Sequence, residues 1–204
     1  MTKMTHTAAR LLLAKQRLMT SLLDKEIISQ SDDLVFDKAD WVPLYLDRGN
    51  CVTSDCGTMT AYRAATLKGD LLWMVFTPGK KKGYHGCEND PFDAMEQARR
   101  SWAGRRAVRQ DWAEVKRTAR NLVTGRETFD VRVEDLHASP LCNHGIEGFR
   151  AAVGLSRINR ISGRMAALLM MVEPQMGFVI HAAKQRHAAQ RGHAADQSAQ
   201  MATA

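Results

Sequence analysis

The stretch "TMTAYRAATLKGDLLWMVFT", residues 58–77, decides the fold. Its halves, "TMTAYRAATL" and "DLLWMVFT", are rich in residues that suit a pleated surface and meet at Lys68, Gly69 and Asp70, so the spacing predicts a β-hairpin. Upstream, "WVPLYL" (41–46) alternates and is aromatic, and Pro43, with no amide hydrogen to offer a ladder, marks an edge strand. Downstream, Pro78, Gly79, Gly83 and Gly86 interrupt the pattern around three consecutive lysines. "TFDVRVE" (128–134) sets Phe129, Val131 and Val133 between charged residues and reads as one further strand joining the sheet. A small antiparallel sheet of about three to four strands is expected.

Helices flank it. Asp90 followed by Pro91 is a helix-start pair, because a carboxylate accepts from the free amides of a first turn and proline fits the first helical position. Beyond it Phe92, Met95, Ala98 and Trp102 form one apolar stripe, and Val108, Trp112, Val115, Ala119 and Leu122 form another that runs to Gly125, with Gly104 placed to bend or break the run. Near the start, Leu11, Leu18, Leu22 and Ile28 recur near the helical period among Arg10, Lys15, Arg17 and Lys25, which predicts an amphipathic helix ended by "SQSDD" (29–33). Toward the other end, helices are expected over 146–153 and from Ser156 to Val172, with Pro174 as the stop. From Lys184 the chain is Ala, Gln and His with few large apolar residues, and disorder is expected there. The expected class is therefore α+β: an N-terminal amphipathic helix (1–31), an α+β core (32–142), a basic helical hairpin (143–183) and a disordered tail (184–204).

The 204 residues are 45% hydrophobic and 25% charged, ordinary values for a folded soluble protein, and carry a formal charge of +7. Such a field favours nucleic acid, an anionic membrane or an acidic protein. The longest apolar run, Met165 to Val172, is too short to span a bilayer. The first 23 residues lack acids, as an organelle transit peptide would, but are read as the amphipathic helix. Without a secretory pattern the four cysteines are expected reduced, in the cytoplasm, and no disulfide is expected.

Those cysteines raise the question of metal. Cys51 and Cys56 stand in C-x4-C spacing, His85 and Cys87 in H-x-C, and Cys142 and His144 in C-x-H. The six are candidate zinc ligands, but the paired short knuckles of a structural zinc site are absent, so they are read as buried or incidental side chains and no cofactor is expected. Cys87 stands close to a helix N-terminus that would favour a thiolate, while Glu88, Asp90 and Asp93 oppose one. "PGKKKG" (78–83) lacks the Gly-Lys-Ser/Thr ending of a phosphate-cradling loop. No region gathers nucleophile, base and orienting group, so no enzyme is expected.

The charge itself is the strongest signal. Between 143 and 194 stand Arg150, Arg157, Arg160, Arg164, Lys184, Arg186 and Arg191 against Glu147 and Glu173 alone. In the helix expected from Ser156, the arginines at 157, 160 and 164 fall on one stripe, and Leu155, Ile158, Ile161, Met165 and Leu168 fall on a second that would pack. "FRAAVGLSRINRIS" (149–162) partly imitates a helix-turn-helix, although Arg160 and Gly163 stand where packing residues are expected. The functional expectation is a non-catalytic protein that binds nucleic acid or a nucleic-acid-associated complex through Arg157, Arg160 and Arg164. Arg150, Lys80, Lys81 and Lys82 are its outlying contacts. The alternative is a regulator or inhibitor that docks on an acidic partner protein.

Overall fold

A computed structural model of the protein describes residues 34–39, 42–66, 70–80, 83–86 and 89–202. The expected N-terminal helix, Lys81, Lys82 and Cys87 lie outside the described residues. The fold is α+β, as the hairpin and helix-start signals require. It divides into two compact units: one runs to Arg100 and includes Cys142–Val153, and the other holds Ser101–Leu141 and Gly154 onward.

The first unit is built on an antiparallel meander of β1 (Leu34–Ala39), β2 (Val42–Thr53), β3 (Thr60–Thr66), β4 (Leu71–Phe76) and β5 (Tyr84–His85), in that order. The predicted hairpin is β3–β4, with Ala65 opposite Leu71 and the Thr66 amide donating to the Asp70 carbonyl at 2.9 Å. Register explains the core: Leu46 lies opposite Ala64 and Ala64 opposite Leu72, and these three join Leu44 and Met74 in one buried cluster. On the other face of the pleat Arg63 sits with its guanidinium carbon 5.2 Å from the Trp73 ring centre, a cation over an aromatic face. β2 is an inner strand, not the predicted edge. Pro43 pairs with Lys38 of β1, and β3 joins β2 only from Leu44, so no β3 ladder bond is asked of the proline.

Helix α1 (Pro91–Gln110) starts where the sequence places it. Asp90 Oδ1 accepts from the amides of Phe92 at 2.7 Å and Asp93 at 3.0 Å. Gly86 lets the chain approach this helix closely, since a Cβ there would stand 2.3 Å from the Ala94 Cβ. Gly104 does not break the helix. A Cβ at Gly104 would stand 2.9 Å from Pro140, so the glycine serves close packing, and the break comes instead at Asp111, before α2 (Trp112–Thr124). Gly125 then ends α2 in the left-handed conformation, φ 75°.

The second unit corrects three expectations. "TFDVRVE" does not join the main sheet: β6 (Asp130–Arg132) pairs with β7 (Arg160–Ser162), and α3 (Val133–Ala138) follows at once. The segment from Ser156 is not helical until Gly163, because residues 160–162 are drawn into that ribbon by Val131 opposite Ile161 and by an Arg160–Asp130 ion pair. Of the two helices expected for the basic hairpin, α4 (Asn143–Ala152) falls in the first unit and α5 (Gly163–Val172) in the second.

The tail is the third correction. α6 (Met176–Ala202) is the longest helix among the described residues, and its beginning is well buried, with Phe178, Val179, Ile180 and Ala183 closed to solvent. Phe178 packs on Trp112, ring centres 5.2 Å apart. Alanine and glutamine have high helix propensity, and Lys184 and Arg186 are tied down by acids of other elements, so the segment is held without large apolar residues.

Candidate nucleic-acid interface

The division into units sharpens the charge signal. Ser101–Leu141 with Gly154–Ala204 hold fourteen Lys and Arg against eight Asp and Glu, six of the seven excess positive charges. Several of these cations hold the fold together. Arg186 donates to both oxygens of Asp135, at 2.7 and 2.9 Å, and to the Asp130 carbonyl at 2.7 Å. Asp135 is only 2% exposed, and its bonds hold the Arg186 guanidinium's pKa above the ordinary arginine value. Lys184 Nζ lies 2.7 Å from Glu114 Oε1, 2.8 Å from Thr118 Oγ1 and 3.6 Å from Glu127 Oε1.

The predicted contacts fare unequally. Arg150, expected as an outlying contact, is buried in the first unit and bridges Glu147 at 2.8 Å. Arg160 is exposed but pairs with Asp130 at 2.5 Å. Arg157 and Arg164 are exposed, and neither is ion-paired among the described residues. They share no helical stripe, since Arg157 lies in a turn, Arg160 in β7 and Arg164 in the first turn of α5. Lys80, in the first unit, is exposed beside the groove it lines with Arg48.

Sequence reading missed a second group. The α2–β6 connection and α6 enclose a pocket of about 470 Å³, lined by Arg126, Phe129, His187 and Arg191 as well as by Lys184 and Glu127. The last two oppose each other's charge, so the surplus comes from Arg126 and Arg191, exposed and not ion-paired among the described residues. Phe129 and His187 lie side by side at the pocket, ring centres 5.7 Å apart and planes 30° apart. The Phe129 carbonyl accepts from the Gly163 amide at 2.9 Å, which joins the pocket's wall to the residue before Arg164. Two guanidinium groups beside aromatic surface suit a phosphate and a base edge or ring. No local signal marks Arg126, because its partner in the pocket comes from α6, which the composition disguises as tail.

Of the thiol and imidazole candidates, the structure brings His85, Cys142 and His144 together. Cys51 and Cys56 are exposed on the β2–β3 hairpin, and Cys142 is buried. Cys142 caps α4, its Sγ accepting from the Gly145 amide at 3.3 Å and hydrogen-bonding with buried His85 Nδ1 at 3.2 Å. His144 stacks on His85 with ring centres 6.3 Å apart. Among the described residues no group of three or more His, Cys, Asp and Glu is placed to hold a metal ion. Cys56 has a chemistry of its own: hydrogen bonds from Thr58, at 2.9 Å through the hydroxyl, and from Ser54 lower its thiol pKa to about 7.

No family model, curated protein or solved structure matches the chain. Among the described residues no helix is long and apolar enough to cross a membrane.

Proposed function

We propose that this protein binds nucleic acid, or a complex that contains it, in the cytoplasm and without catalysis, through the basic surface of its second unit. The observation that carries the reading is the concentration of six of the seven excess charges in that unit. Arg126, Arg157, Arg164 and Arg191 remain exposed there, without acidic partners among the described residues. Arginine is the side chain best suited to phosphate, since its planar fork donates two parallel hydrogen bonds and stays charged. Arg160, half committed to Asp130, is a weaker contributor. The test is binding of a generic duplex by the full chain, beside the variant carrying Arg126→Ala, Arg157→Ala, Arg164→Ala and Arg191→Ala. Weakened binding supports the reading, and unaltered binding refutes it.

A second reading, a regulator that docks on an acidic protein, is favoured by a separate observation: large apolar side chains stand exposed on α5, next to lysine and arginine of α2.

A further inference from the structure

Helix α5 is packed the reverse way from its sequence pattern. It buries its small residues, Gly163, Ala166 and Ala167, and turns Met165, Leu168, Met171 and Val172 outward. Met171 is 80% exposed and Val172 66%, values that set this helix apart from scattered surface apolar residues. The small side permits a close approach to α2, where a Cβ at Gly163 would stand 2.7 Å from a Leu122 methyl. Between the two helices runs a groove of about 360 Å³, floored by Ala119, Ala167 and Met170 and edged by Val123 and Met171. Its remaining lining residues are Lys116 and Arg120, one helical turn apart on α2. Both are exposed and neither is ion-paired among the described residues.

We infer that the α2–α5 groove is a docking site for an acidic amphipathic helix of a partner protein, its apolar side chains seated on Val123, Met170 and Met171 and its carboxylates on Lys116 and Arg120. The inference deepens the second reading and rests on it; it is independent of the nucleic-acid surface, whose arginines it does not use. An apolar groove with methionine walls suits a helix, because methionine adapts its shape to the incoming side chain. Charge selects the occupant. The chain's own first 23 residues contain no acid and include Lys3, Arg10, Lys15 and Arg17, so Lys116 and Arg120 would repel them. A second copy seated two-fold on this groove would bring the same two cations against their equivalents, which disfavours self-association there.

The test uses the full chain and a fluorescent helical peptide with leucine at every third or fourth position and glutamate elsewhere, beside its twin with lysine for glutamate. Fluorescence anisotropy should show the acidic peptide bound at least about tenfold more tightly than its twin. That binding should fall about tenfold in Lys116→Glu with Arg120→Glu, and likewise in Val123→Ser with Met171→Ser, all exposed positions that line the groove and whose exchange leaves the core intact. The Arg126→Ala with Arg191→Ala variant should bind it as the wild type does. Equal binding of the acidic peptide by wild type and both groove variants would overturn the groove while leaving docking on an acidic partner standing. No binding of the acidic peptide would overturn both. Tighter binding of the lysine twin, or a dimer abolished by Met171→Ser, would assign the groove to a basic segment or a second copy and overturn the inference.

Discussion

Single side chains carry two kinds of task here, and sequence reveals one of them. Asp90 caps α1 with two hydrogen bonds to amides two and three residues on, so its role is written in local spacing. Asp90→Ala should cost about 1 kcal/mol in urea unfolding. The Arg186 role was not legible, because its acceptor, Asp135, lies 51 residues away in sequence. Arg186→Met would leave a buried carboxylate without its cation, and the expected loss is about 3–5 kcal/mol. Adding Asp135→Leu to that variant should recover much of the loss, and a double variant no more stable than Arg186→Met would show that the pair is not what holds α6 to α3. Cys56 offers a pH test. Hydrogen bonding from Thr58 and Ser54 favours the thiolate, so alkylation of Cys56 by iodoacetamide should rise through a midpoint of about 7. Thr58→Val removes the first of these donors and should move the midpoint upward.

Elements follow their sequence signals where the signal is local and depart where a distant partner competes. The β3–β4 hairpin and α1 are both recognisable, one from alternation about a turn and the other from its start pair and apolar stripe. Leu72, fully buried at the crossing of Leu46 and Ala64 in register, should cost about 2–5 kcal/mol on exchange for alanine. Residues 156–162 have a helical periodicity that would satisfy an isolated segment, yet Ile161 and Arg160 gain partners in Val131 and Asp130, and the ribbon prevails. The same competition gives α5 its reversed packing: once the helix starts at Gly163, its small residues are buried, with Gly163 against Leu122 of α2, and Met165 and Met171 face outward. For α6, composition pointed to disorder while two long-range ion pairs hold it. Hydrogen exchange should therefore find the amides of residues 178–188 protected, and exchange at the rate of an unfolded chain would contradict the helix.

At the scale of the whole chain, the net charge was legible from composition but its address was not. Sequence alone places the excess at 143–194, whereas the fold puts 143–153 with Arg150 in the first unit and gathers the α1, α2 and α2–β6 arginines with the C-terminal ones. Arg126 and Arg191, far apart in sequence, line one pocket as a result. Nucleic-acid binding through this unit has a quantitative consequence, because each phosphate neutralised releases counterions and adds about 0.9 to the slope of log affinity against log salt. The most direct test is that slope, measured for a generic duplex between about 50 mM and about 200 mM salt. If Arg126, Arg157, Arg164 and Arg191 each meet a phosphate, the wild type should bind with a steep slope and the fourfold alanine variant with one shallower by about 3–4. A slope identical in the two proteins, or binding indifferent to salt, would contradict the account.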